Sequence, residues 1–408
     1  MEETQAELQE VTEGGILTAK GFHAGGVHCG IKRKRHDLGW LYSEVPAHTA
    51  AVYTTNLFQA APLLVTKESI AVEQKIQGLI VNSGVANACT GEQGVANAYQ
   101  MRHLFAQKLG TSDHLVAVNS TGVIGEQLSM EKIKQGIAQI NLNESEQESF
   151  AKAILTTDTY TKHVCIQLEL NGELVTIGGT AKGSGMINPN MATMLAFLTT
   201  DASIEPVALD VALRSAVNQT FNCITVDGDT STNDTVMIMA NGEANNQSIT
   251  LADKGNFQLF TDALTKVCQS LAKQIARDGE GATKLIEVQV TGAARMEDAK
   301  AIGKTIVGSS LVKTAVFGAD ANWGRIICSI GYSGIELETS KLAVSIGDIP
   351  IVQHGMPTHF HEELVNNYLK WNDEIKITVD LHSGSEEAFA WGCDLSYDYV
   401  KINASYRT

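Results

Sequence analysis

The chain has 408 residues, enough for two or three lobes at roughly 150 residues each. Its 44% apolar and 19% charged content is ordinary for a globular protein, and no apolar run approaches the ~20 residues of a membrane helix. The net charge of −16 argues against broad binding to nucleic acid or to anionic membranes, and it means that an acidic small substrate needs local cations inside its site.

The acidic start, Met1-Glu2-Glu3-Thr4, lacks the basic and apolar regions of a secretory signal and the Arg-rich composition of a transit peptide. A cytoplasmic protein is expected. The seven cysteines are scattered and none forms C-x-x-C, which fits reduced thiols rather than a disulfide framework or a zinc site.

Residues 1–14 are polar and are expected to fray. Leu79-Ile80-Val81 reads as a buried strand that runs into a turn at Asn82-Ser83-Gly84. Val95, Ala98, Met101, Phe105 and Leu109 follow at helical spacing, with Gly110 as the stop. The same grammar repeats at once. Leu115 to Val118 is a strand running into a turn at Asn119-Ser120-Thr121-Gly122, and Ser129 precedes a helix carrying Ile133, Ile137 and Ile140. Two strand–turn–helix units point to α/β organisation.

The glycine-rich stretch Val175 to Gly185 reads as a loop region that includes Lys182. Met194 to Leu198 is an unbroken apolar run, the pattern of a strand buried on both faces. Pro206 suits the first turn of a helix. A longer helix carries Phe257, Phe260, Leu264, Val267, Leu271 and Ile275 and ends at Asp278-Gly279-Glu280-Gly281, after which Ile286, Val288 and Val290 alternate as a strand. The tail from Asp398 has no clear core pattern.

Thr193 opens the buried run directly after Ala192. Attack of its hydroxyl on the Ala192 carbonyl would turn the amide into an ester, and hydrolysis would then leave a free α-amine on Thr193. That amine can take the hydroxyl's proton in place of a histidine. No histidine lies between Thr193 and Pro350. By its residues alone, however, a threonine at the head of a core strand is an ordinary strand residue.

The run Lys182-Gly183-Ser184-Gly185-Met186-Ile187-Asn188-Pro189-Asn190-Met191-Ala192-Thr193-Met194-Leu195 resembles the self-cleavage segment of ornithine acetyltransferases, also called glutamate N-acetyltransferases. The likeness extends over nearly the whole chain. It takes in Gly25-Gly26-Val27, Val81 to Gly84, Asn119 to Gly122, Thr156 to Thr159, Asp227 to Asp234, Asp278 to Lys284, Asn322 to Arg325 and Asn403 to Thr408.

The resemblance implies an α/β fold of the N-terminal-nucleophile-like kind, an αββα sandwich. It also implies cleavage into an α chain, residues 1–192, and a β chain, residues 193–408. It implies transfer of acetyl from N-acetylornithine to glutamate in arginine biosynthesis, with no metal or organic cofactor and with paired αβ units. It leaves open whether acetyl-CoA is a second donor.

By the same resemblance Thr193 is the nucleophile, Thr121 and Gly122 form the oxyanion hole, and Thr156, Lys182, Thr193, Glu280, Asn403 and Thr408 contact substrate. Lys182 suits a substrate carboxylate and Glu280 the side-chain ammonium of ornithine. The rival readings are an N-terminal-nucleophile amidase or aminopeptidase, and a non-catalytic protein that binds through Lys32-Arg33-Lys34-Arg35. That basic run reads as a solvated loop. His354, His359 and His361 match no zinc spacing, and neither a P-loop nor a G-x-S-x-G elbow is present.

Overall fold

The computed structural model describes residues 8–188 and 194–405. The expected cleavage point, Ala192 and Thr193, and the expected contact Thr408 lie outside these. Among the described residues the fold is mixed α/β, with one sheet of nine strands and one of six. None of the described helices is long and apolar enough to cross a membrane.

The larger sheet runs Gln9–Glu10, Lys162–Leu170, Glu173–Lys182, Leu195–Thr200, Thr235–Ala240, Leu38–Tyr53, Lys75–Val85, Val116–Val123, with Phe22–Val27 paired to Leu38–Tyr53. Part of the polar N-terminal stretch is thus a strand, because Gln9 and Glu10 pair with Gln167 and Ile166. The unbroken apolar run after Thr193 has a direct cause. Leu195 and Phe197 join the core on one face of the sheet, beside Phe150 and Ile154. Ala196 and Leu198 join the core on the other, under the helices Pro206–Gln219 and Lys254–Arg277. A strand covered on both faces needs apolar side chains at successive positions.

Helix Lys254–Arg277 starts where the Asp253 carboxylate accepts from the Asn256 amide, and it buries Phe260, Leu264, Val267, Leu271 and Ile275 along one stripe. The same core includes Leu285, Trp391 and Cys393, so this helix also touches the smaller sheet. That sheet runs Met356–Pro357, Ile349–Gln353, Ala343–Ile346, Glu374–Asp380, Leu285–Ala293, Glu386–Cys393. Its far face packs on the helices Met296–Gly308, Ser310–Phe317, Gly324–Gly331 and Glu362–Trp371.

The two strand–turn–helix units are present as parallel strands Lys75–Val85 and Val116–Val123 with helices Gly91–Leu109 and Met130–Gln139. Gly110 closes the first helix in the left-handed region, at φ 71°. Ser129 sits at the head of the second, but its side chain makes no capping bond.

Two local expectations are corrected. The segments Asn82–Gly84 and Asn119–Gly122 are not turns; they continue their strands. Lys182 does not lie in a loop but ends the strand Glu173–Lys182. The C-terminal segment forms a helix, Tyr397–Ser405, with none of its residues buried.

Candidate active site

A cavity of about 210 Å³ opens where several strand ends of the larger sheet meet the segment after the long helix. Its lining includes Thr121, Gly122, Thr156, Lys182, Met194, Asp234, Glu280 and Asn403. The structure therefore gathers every expected site residue that it describes. They come from strand ends, a bend, a post-helix segment and the terminal helix.

Thr121 and Gly122 owe their backbone shape to a bulge. The ladder between Lys75–Val85 and Val116–Val123 shifts register at Gly84 and Val85, where Val85 pairs with both Thr121 and Val123. A bulge lifts peptide groups out of regular pairing and re-aims them. Gly122 has φ +132°, and a Cβ there would collide with the Gly84 carbonyl carbon; only glycine fits that approach.

Side-chain amides hold the bulge from outside the ladder. Asn233 Nδ2 donates to Ala86 O at 2.6 Å and to Ser120 O at 2.7 Å. Asn82 Nδ2 donates to Val85 O at 2.9 Å, and Ser120 Oγ donates to Asn82 Oδ1 at 2.5 Å. Asn119 Nδ2 reaches the Thr235 hydroxyl at 2.8 Å.

The other side of the cavity is tied by a buried ionic knot. Lys162 Nζ, fully buried, lies 2.9 Å from Asp158 Oδ1 and 2.6 Å from Asp278 Oδ2. Asp158 also accepts from the Gly183 amide at 2.6 Å and the Thr156 amide at 3.1 Å. Burial pushes the Asp158 carboxyl up, but Lys162, Lys182 and the Gly183 amide outweigh it and hold it below the usual carboxylate range. Burial likewise opposes charge on Lys162, and the two carboxylates reverse that, raising it.

Asp278 accepts from the Thr159 amide and hydroxyl, and Ser184 Oγ donates to Asp278 O at 2.7 Å. The knot thus orients Thr156, the end of the Lys182 strand and the approach to Glu280 together.

Lys182 is 7% exposed; its ammonium lines the cavity, and its charge favours the ionised forms of Asp158 and Asp234. Glu280 is 8% exposed. Its amide donates to Ser184 O at 3.0 Å, and Asn403 Nδ2 donates to its Oε2 at 2.7 Å. Any side chain at Gly185 would occupy the space of the Glu280 carboxylate. Asp227 accepts from the Met186 and Ile187 amides at 2.7 and 2.9 Å. Burial, then Asp227 and Glu280, push the Tyr399 phenol up to about 12.

Sequence reasoning missed three things. Asn233 and Asp158 stood in quoted motifs without a role. Lys32 was read as solvated, but its Nζ donates to Leu155 O at 2.7 Å and to His36 O at 3.0 Å. Burial lowers its pKa to about 8.

The chain is 56% identical over 405 residues, 99% of its length and 98% of the relative's, to the arginine biosynthesis bifunctional protein ArgJ of Halalkalibacterium halodurans. The protein of the same name from Bacillus subtilis is 53% identical, over 99% of both chains. Among solved structures, an ornithine acetyltransferase complexed with ornithine from Mycobacterium tuberculosis matches at 35% identity with a TM-score of 0.42, over 46% of this chain and 100% of that one. The chain is an enzyme of arginine biosynthesis. It belongs to the ArgJ family, whose model matches residues 23–408.

Proposed function

We propose that the chain cuts itself between Ala192 and Thr193, and that Thr193 then carries acetyl from N-acetylornithine to glutamate by double displacement. The hydroxyl of Thr193 attacks the acetyl carbonyl, and ornithine leaves. The Thr121 and Gly122 amides hold the oxyanion, where each donor contributes about 3 kcal/mol in comparable sites. Glutamate then takes the acetyl group. Lys182 holds the substrate carboxylate, Glu280 holds the ornithine ammonium with Asn403 fixing its second oxygen, and Thr156 and Thr408 complete the contacts.

No metal or organic cofactor takes part; the word bifunctional in the relatives' name fits acetyl-CoA as a further acetyl donor. The processed chains work in the cytoplasm as an (αβ)2 assembly.

The observation that carries this reading is the single cavity. It brings a bulged pair of backbone amides, a buried lysine, and a carboxylate braced by an asparagine beside Met194, the residue that follows Thr193. Lys182 and the braced Glu280 carboxylate in one small cavity match an amino acid that is carboxylate at one end and ammonium at the other.

The test mixes processed protein with N-acetylornithine and leaves out glutamate. About one equivalent of ornithine should appear quickly, and the chain beginning at Thr193 should gain one acetyl mass. Glutamate should then discharge it as N-acetylglutamate. Continued release at full rate with acetate as co-product favours a hydrolase. Absence of the acetyl mass under fast quenching rejects the covalent route.

Glu280→Gln should still be cut, because cleavage needs no substrate. It should lose about 1.5–3 kcal/mol of transition-state binding, read as a fall of roughly ten- to 150-fold in kcat/KM for N-acetylornithine. An unchanged value would reject the ammonium contact.

A further inference from the structure

This inference rests on the double displacement just described. Attack by a hydroxyl on an amide passes the hydroxyl proton to the leaving nitrogen, so ornithine departs as a neutral amine and needs one more proton to become an ammonium. Glutamate arrives as an ammonium and must lose one proton before its nitrogen can attack. One proton is therefore given up and one recovered in each turnover, beyond the proton that shuttles between the Thr193 hydroxyl and α-amine. A group inside the cavity that holds that proton would close the cycle.

Most carboxylates at the cavity are already committed. Asp227 spends both oxygens on backbone amides, Asp158 is engaged by Lys162 and two amides, and Glu280 is bonded by Asn403. Asp229 is exposed. Asp234 differs. It lines the cavity, is 3% exposed, and its Oδ2 is buried without a hydrogen-bond partner among the described residues.

Asp234 stands at the head of the strand Thr235–Ala240, whose first amide donates to Met194 O at 2.9 Å, so it lies abreast of the residue that follows Thr193. Burial pushes its carboxyl well above the usual carboxylate range; Lys182 and the Ser231 and Thr54 hydroxyls oppose this and do not cancel it. Lys182 is the one cation among the described residues that line the cavity.

We propose that Asp234 is the acid–base group for the substrate nitrogen. As the acid it protonates the departing ornithine amine and becomes a carboxylate. As the carboxylate it takes one proton from the glutamate ammonium, and the freed amine attacks the acetyl ester. The second nitrogen proton returns through the Thr193 amine to the Thr193 oxygen as the ester bond breaks. The carboxyl ends protonated, as it began, and no outside reagent is consumed.

The experiment loads acetyl onto wild type and Asp234→Asn, each first checked by mass for complete cutting, and follows discharge to glutamate and to hydroxylamine. Hydroxylamine is largely neutral above pH 7 and needs no proton removed. Discharge of Asp234→Asn to glutamate should fall by about 10² or more, while discharge to hydroxylamine stays within about threefold of wild type. Equal rates with glutamate, or an equal loss with both acceptors, overturns the proposal; the latter marks a structural role.

Wild type alone supplies a second measurement should the variant fail to fold or cut. At saturating glutamate its discharge rate should be level between pH 7 and 9, because the carboxylate removes the proton. A tenfold rise per pH unit would mean that only pre-formed free amine reacts, and that also overturns it. If no acetyl group loads onto wild type, the double displacement itself fails. If acetyl loads and Asp234→Asn is unaffected, only the role of Asp234 fails.

Discussion

The Thr193→Ala protein is expected to run as one 408-residue chain and to show no acetyl exchange above background. Wild type should give two fragments, one beginning Thr193-Met194-Leu195. The substitution removes one oxygen, and the proposed chemistry asks that oxygen to act twice: on the Ala192 carbonyl during cutting and on the acetyl carbonyl in every turnover. Both losses should therefore be complete. Gel mobility, N-terminal sequencing and an exchange assay check it, and a fully cut Thr193→Ala protein would end the self-processing account. Its sheet should remain formed, because Leu195–Thr200 is held by pairing on both sides, to Glu173–Lys182 and to Thr235–Ala240. Circular dichroism like that of wild type would separate lost chemistry from lost fold.

Lys162→Met is expected to cost about 3–5 kcal/mol of stability, read as a Tm lower by several degrees and a lower denaturant midpoint at pH 7. The ammonium it removes is fully buried between Asp158 and Asp278, so the change leaves two carboxylates facing each other without their cation. The effect has a defined pH dependence. In wild type the Asp158 carboxyl is held below its ordinary value, so its contribution to stability is present above that ordinary value and is lost as pH falls through the lowered one. Without Lys162 much of that contribution is gone at neutral pH. The gap between wild type and variant should therefore be widest near pH 7 and should narrow as pH drops below the ordinary carboxylate range. A gap that is constant with pH would show that lost packing, not charge, sets the cost.

Elements with strong periodicity were legible from residue order. The helix Lys254–Arg277 and the strand Leu195–Thr200 could be read directly, because their apolar positions record which faces are covered. The segments around Asn82 and Asn119 were misread because Asn, Ser and Gly favour turns locally. What keeps them in the sheet is remote: the Asn233 side chain, more than a hundred residues on, bonds to Ala86 O and Ser120 O.

The stretch before Lys182 looked like a loop because of its glycines. Their actual cause is close packing. A Cβ at Gly178 would strike the Gly15 carbonyl, and one at Gly179 would strike Leu198.

For the candidate site, the family motif supplied the expected residues, and residue order alone would have left them ordinary. It could not separate Asp234 from Asp227 and Asp229, seven and five places earlier. Only their surroundings differ: one binds amides, one faces solvent, and one is buried with an oxygen unpartnered among the described residues.

The pairing of Lys182 with Leu195 has a consequence for how the processed enzyme comes apart. Those two residues flank the proposed cut and are neighbours in one sheet, so severing the connection between them removes a tether without removing a contact. Before the cut, the two strands meet at a high effective concentration fixed by a short connecting segment. After it, unfolding releases two independent molecules, and the equilibrium acquires units of concentration. The cut enzyme's thermal midpoint then rises more steeply with protein concentration than that of an uncut chain. Dilution, which leaves every hydrogen bond in the sheet unchanged, becomes a stronger denaturing condition for the mature form than for the uncut chain.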